Sequence, residues 1–342
     1  ISRLIVVLFL VFLSVRCAQD DVGDVIAKRR SHRALELAPH TFAKLAEAAN
    51  LDHFNEVLDK ILVPRVVGME SHEQVKDFII DSFRKLSWIV ELDEFDEDTP
   101  IFKNLHFTNI IATLNPNAER FLVLACHYDS KYFPNEEFLG ATDSAVPCAM
   151  LLNLAHVMSK YFDQIKSKAD VSIKIVMFDG EEAFKAWTAT DSIYGARHLA
   201  AKWEEESFLH RIDMMVLLDL LGSPDPTFYS FFKDTESWYQ RLVDTEIKLD
   251  EQNLMQKYQS SGTIKRSPTR YFQSHSVSAG IEDDHIPFLR RDVPILHMIP
   301  VPFPEVWHKM TDNHEAIDVT TVENINKILR IFIAEYLHID ID

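Results

Sequence analysis

Two carboxylates stand side by side at Glu181-Glu182, just past Asp179-Gly180 and the apolar run Val171 to Phe178. Adjacent acids repel and raise one another's pKa unless a cation lies between them or one keeps a proton. The pair therefore suits a metal ligand beside a general base, although a lone acidic turn is more often a solvated strand cap. Other apolar runs end on chemistry of the same kind. His127-Tyr128-Asp129 follows Phe121 to Cys126, Asp219 follows Met214 to Leu218, and a Pro-rich loop leads from Val293-Ile299 to Trp307-His308. Gly140-Ala141-Thr142-Asp143 sets a further acid at the mouth of a helix. His with Asp and Glu, and no thiolate set, is the donor chemistry of a catalytic zinc with an open position, or of two zincs. Singly, Asp143 could be an N-cap, His127 a satisfied core residue and Asp219 the partner of a buried donor. Their joint placement at successive strand ends is not explained that way.

Several other chemistries are excluded. No Gly-x-Ser-x-Gly elbow is present, and with 8 Gly in the chain neither a dinucleotide-binding Gly-x-Gly-x-x-Gly nor a Walker loop occurs. A net charge of −18 is unsuited to nucleic acid, whose binders need clustered Lys and Arg. Metal-assisted chemistry at a carbonyl is what remains.

The elements that would carry these residues follow from periodicity. Short apolar runs at 121–126, 171–178, 214–218 and 293–299 are separated by helix-length segments, which predicts a largely parallel sheet buried on both faces. The alternating 88–95 and the β-branched 107–114 predict a hairpin at the sheet edge. Helical spacing predicts an N-terminal pair over about 40–60 and 72–87, and further helices over about 145–165, 192–206, 235–249, 283–290 and 320–338. In such a sheet, ligands bind beyond the carboxyl ends of the strands, where the acids and histidines above fall. With 342 residues, 47% of them hydrophobic, and no composition break, one catalytic α/β domain over 40–342 is expected.

The apolar run from Ile1 to Val15 with Arg3 reads as a secretory signal over 1–18 whose start is missing. Its length is short for a membrane span, so a secreted protein without stable membrane association is expected. A basic segment, 19–39, contains Lys28-Arg29-Arg30-Ser31-His32-Arg33 and is expected to be solvated. If Cys17 leaves with the signal, Cys126 and Cys148 remain, and these form either one disulfide or two buried thiols.

The longer motifs resemble the glutaminyl-peptide cyclotransferases (glutaminyl cyclases). The similarity is carried by 121–133, 140–150, 178–184, 217–222, 283–291 and 302–308. That family shares its fold with co-catalytic zinc aminopeptidases: a twisted, mixed, mostly parallel sheet with helices on both faces. The resemblance implies one zinc per chain held by Asp143, Glu182 and His308, with Glu181 as general acid/base and Asp219 as an acid steadying the reacting amine or the transition state. It further implies a substrate pocket of Trp187, Ile281, Glu282, Phe303 and Trp307, a hydrogen-bond network of Asp283 and His297, and a Cys126–Cys148 disulfide. The implied activity is cyclisation of N-terminal Gln, or Glu, of peptides to pyroglutamate, with ammonia released from Gln, by a monomeric enzyme. Val277 and Glu282 depart from the aromatic residue and the Gln of vertebrate relatives, and the loop 134–137 is shorter. A two-zinc aminopeptidase using His127 and Asp219 for a second metal is the main rival, and a non-catalytic binding protein is a third reading.

Overall fold

The computed structural model describes residues 22–256 and 270–339. Its centre is a six-stranded sheet of β1 (Ile89–Glu97), β2 (Leu105–Thr113), β3 (Arg120–His127), β4 (Val171–Phe178), β5 (Ile212–Leu218) and β8 (Ile295–Met298), in the order β1-β2-β4-β3-β5-β8. The expected hairpin forms as β1 and β2 and lies at one edge; β2 runs antiparallel to β4. The remaining pairs, β4 with β3, β3 with β5 and β5 with β8, are parallel. Their C-terminal ends, His127, Phe178, Leu218 and Met298, therefore open at one edge of the sheet.

Every residue of β3, β4 and β5 is buried, as expected of strands covered on both faces. Alternate residues go to opposite layers. Leu122, Leu124, Ile173, Ile175, Val216 and Leu218 pack in one core cluster, whereas Phe121, Val123, Ala125, Val176 and Leu217 pack in the other. Burying each such aliphatic side chain stabilises by roughly 1.5–3 kcal/mol, so the sheet is a rigid base for its end loops. The first layer is covered by α2 (Pro39–Glu47), α3 (Leu51–Ile61), α4 (Glu70–Lys85), α5 (Val146–Val157), α8 (Glu236–Glu251) and α10 (Val319–Leu337). The second is covered by α7 (Tyr194–Glu205) and α9 (Ile286–Leu289). No described helix is long and apolar enough to cross a membrane.

Four differences from the sequence expectations have local causes. The helical pattern over 40–60 is split into α2 and α3, because Asn50 accepts a hydrogen bond from His53 N at 3.1 Å and starts a new helix there. The expected helix over 283–290 shrinks to α9, since Asp283 is drawn into a side-chain pair with His297. A short parallel pair, β6 (Phe228–Ser230) and β7 (Phe272–Ser276), was not expected. The basic segment is not simply solvated: residues 22–31 form helix α1, Arg29 donates to Ile212 O at 3.2 Å, and His32 is buried 2.8 Å from Tyr336 O. The expected signal, 1–18, lies outside the described residues.

The disulfide expectation is corrected. Cys126, at the end of β3, and Cys148, in the first turn of α5, are both free thiols. Their sulfurs are 3.1 Å apart, and the Cys148 thiol donates to His127 O at 3.0 Å.

Candidate active site

The turn that delivers the acid pair depends on Gly180. Its φ is +65°, and a Cβ there would stand 2.5 Å from Phe107 Cε1, so a side chain is excluded on conformational and steric grounds. Past the turn, the Asp129 carboxylate accepts from Glu181 N at 3.0 Å and from Glu182 N at 3.2 Å. The end of β3 thereby fixes the backbone of the acid pair at the end of β4. Asp143 lies in a π-type turn, Ala141–Ala145, ahead of α5. Fully buried Arg65 ties this turn to β3, donating to Tyr128 O at 2.8 Å, Gly140 O at 3.0 Å and Asp143 O at 3.3 Å. Asp312 accepts from Thr142 N at 2.8 Å. A buried arginine satisfied by backbone carbonyls leaves no local pattern in a sequence, and neither Arg65 nor Asp312 was anticipated. Asp129 was visible in the His127-Tyr128-Asp129 run, but its role was not.

These supports bring three of the expected residues together. His308 Nε2 is 3.4 Å from Asp143 Oδ2 and 3.3 Å from Glu182 Oε1. Asp143, Glu182 and His308 each offer a ligand atom within 4.8 Å of the others. Both of those oxygens are buried and have no hydrogen-bond partner among the described residues. Two such acceptors facing an imidazole nitrogen are costly unless a cation compensates them, and the donor set of two carboxylates and one His suits zinc. The opposite oxygens are already engaged: Lys131 Nζ donates to Glu182 Oε2 at 3.0 Å, and His127 Nε2 lies 3.1 Å from Asp143 Oδ1.

Beside this set, Glu181 is 6% exposed and lines the same cavity. Burial, with Glu182, Asp283 and Asp284 adding repulsion, pushes its carboxyl well above the usual range. Asp219 accepts a short hydrogen bond from Ser144 Oγ, and His127 Nε2 is 3.5 Å away. Burial and the nearby Asp283 raise its pKa to about 6. His127, Asp143 and Asp219 form a second group of potential metal ligands. Burial opposes the charge on His127, but Asp129, Asp143 and Asp219 more than offset it and raise its pKa well above the ordinary imidazole range. Asp283 and His297 pair at 2.7 Å, as expected of a network.

The cavity has a volume of about 560 Å³, and Trp187, Ile281, Glu282, Phe303 and Trp307 line it together with the acids and His308. Trp307 meets Phe303 edge to face at 5.0 Å and stacks on the His308 ring at 4.1 Å. Trp187 Nε1 donates to Glu282 Oε2 at 3.0 Å. The loop presenting Trp187 is held by Asp191, whose carboxylate accepts from Phe184 N, Lys185 N and Ala186 N at 2.9–3.0 Å and from Tyr194 Oη at 2.8 Å. Nothing in the sequence singled out Asp191.

The family model of peptidase family M28 matches residues 109–333. The chain is 57% identical to the glutaminyl-peptide cyclotransferase of Drosophila melanogaster, covering 90% of this chain and 87% of that one. It is 42% identical to the glutaminyl-peptide cyclotransferase of Bos taurus, covering 96% and 94%. Among solved structures it matches the glutaminyl cyclase of Macrostomum lignano with a TM-score of 0.81 at 39% identity, covering 90% of this chain and 95% of that one. A leucine aminopeptidase precursor from Bacteroides thetaiotaomicron has a related fold, with a TM-score of 0.65 at 16% identity over 88% of this chain and 98% of that one.

Proposed function

We propose, for a chain that belongs to peptidase family M28 and within it to the glutaminyl-peptide cyclotransferases, a zinc-dependent cyclisation of N-terminal Gln of peptides and proteins to pyroglutamate. The observation that carries the zinc requirement is the pair of buried, unpartnered oxygens, Asp143 Oδ2 and Glu182 Oε1, turned toward His308 Nε2. When bound by Asp143, Glu182 and His308, zinc supplies Lewis acidity toward the γ-carbonyl oxygen of the substrate.

The rest of the chemistry falls to this chain's own residues. Trp187, Ile281, Phe303 and Trp307 enclose the Gln side chain and fold it back so that its α-amine reaches Cδ, replacing a bimolecular encounter by a near-attack geometry. The C–N bond to the α-amine forms, the bond from Cδ to the amide nitrogen breaks, and ammonia leaves. Glu181 accepts the proton lost by the α-amine and returns one to the departing nitrogen. Asp129 holds the backbone of Glu181 in reach of both atoms. Asp219, with its acceptor fixed by Ser144, orients the amine, and Asp283 with His297 forms the supporting network.

The two-zinc aminopeptidase reading would need His127 and Asp219 as further ligands. With Asp143 these residues do form a second group of potential ligands, and it is the kinship with the glutaminyl-peptide cyclotransferases that favours the cyclase reading. We further assign the chain to the secretory pathway, as a monomer acting on peptides, with 1–18 as its signal, 19–39 as a basic segment and 40–342 as the catalytic domain. Metal analysis with ammonia release from Gln-peptides, before and after chelation, tests the reading. One zinc per chain and chelator-sensitive ammonia release are expected; two zincs, with amine release from aminoacyl anilides and no ammonia, contradict it.

A further inference from the structure

A second cavity, of about 290 Å³, adjoins the first and shares Trp187 and Glu282 with it. The 3.0 Å hydrogen bond between these two side chains forms the divide. Beyond it the wall is cationic. Arg197, Arg290 and Arg291 line the cavity, and Glu282 is the one acid among its lining residues. Arg197 is engaged by Glu97 Oε1 and Ser192 O, both at 3.1 Å. Arg291 uses Nε for Glu204 Oε2 at 2.7 Å and Nη1 for Pro287 O at 3.0 Å, leaving Nη2 uncommitted among the described residues. Arg290 is exposed at the end of α9 and makes no side-chain hydrogen bond or ion pair among the described residues. Three arginines beside the reaction cavity are unexpected in a chain of net charge −18.

Resting on the cyclase reading above, the geometry points to this second cavity as a subsite for an acidic side chain located downstream in the substrate peptide. With the N-terminal Gln in the first cavity, the chain continues past the Trp187–Glu282 divide at about 3.3–3.6 Å per residue. The second to fourth residues then come within reach of Arg290 and the free edge of Arg291. Guanidinium groups recognise a carboxylate through two parallel N–H donors. The volume suits one side chain, and the contact is solvent-facing, so it tunes substrate preference.

The test uses the zinc-loaded full chain and matched Gln-peptides carrying Glu, Gln or Lys at the second, third or fourth position. Ammonia release at low ionic strength is expected to give kcat/KM for one Glu-bearing register about two- to fivefold above its Gln counterpart and further above its Lys counterpart, carried by KM. Added salt is expected to shrink the ratio, Arg290→Gln to abolish it, and Arg290→Glu to invert it. Equal turnover of all charge variants, or a Glu preference that survives Arg290→Gln and Arg290→Glu, overturns the subsite while leaving the cyclase reading intact. Absence of ammonia from every peptide overturns the cyclase reading and the subsite with it.

Discussion

Glu181 and Glu182 have the same side chain and adjacent positions, and their surroundings separate them. One oxygen of Glu182 is bound by Lys131 and the other faces His308, whereas Glu181 opens into the substrate cavity. Both depend on Asp129, which holds their backbone N–H groups. Asp129→Ala leaves two buried donors unpaired, a cost of about 1–3 kcal/mol for each. A lowered Tm is expected, together with a larger fall in kcat for Gln-peptides than a stability loss alone produces. Unchanged kcat in folded variant protein would show that Asp129 does not position the pair. The acid pair, Asp143 and His308 were legible in the sequence because each follows an apolar run or opens a helix, and the family resemblance divided their roles. Arg65, Asp312 and the role of Asp129 were not, since each acts on backbone groups that any residue supplies.

At the scale of elements, the strands carried most of the legible information. The uninterrupted apolar runs of β3, β4 and β5 reflect burial on both faces, and that same burial made their polar end residues conspicuous. The boundary between α2 and α3 was hidden, because the apolar spacing runs through a break made by the Asn50 cap. The three-residue β6 is too short for periodicity to register. The loop carrying Trp187 depends on an equally silent device, the Asp191 carboxylate beneath three consecutive N–H groups. Asp191→Ala is expected to loosen this loop and raise KM for Gln-peptides about tenfold, the loss of roughly one buried charge-assisted hydrogen bond, with zinc content unchanged. A variant with wild-type KM would mean that the loop keeps its shape without Asp191.

The whole molecule carries a further buried charge away from the site. Lys174, on β4, is 6% exposed, donates to Thr113 Oγ1 at 2.7 Å and lies 4.8 Å from the centre of the Phe121 ring. Burial lowers its pKa from 10.5 to about 8, with Glu91 opposing and Arg211 adding to the shift. The folded state therefore releases this proton more readily than the unfolded chain. Between about pH 8 and 10.5 the unfolded chain binds more protons, so the contribution of Lys174 to stability rises with pH across that window. Below pH 8 the buried ammonium is a net cost. Lys174→Met is expected to raise Tm at pH 7, and the difference from wild type is expected to narrow as melts are repeated toward pH 10. A difference independent of pH would place the Lys174 pKa near its ordinary value.

The division of labour at the acid pair is tested most directly by measuring zinc per chain in purified Glu181→Gln and Glu182→Gln variants alongside ammonia release from a Gln-peptide. Glu181→Gln is expected to retain one zinc and to lose activity by about two to four orders of magnitude, the range for removing a general acid/base. Glu182→Gln is expected to lose the zinc. Equal loss of metal from both variants, or full zinc occupancy in Glu182→Gln, would contradict the assignment of the metal to Glu182 and the proton to Glu181.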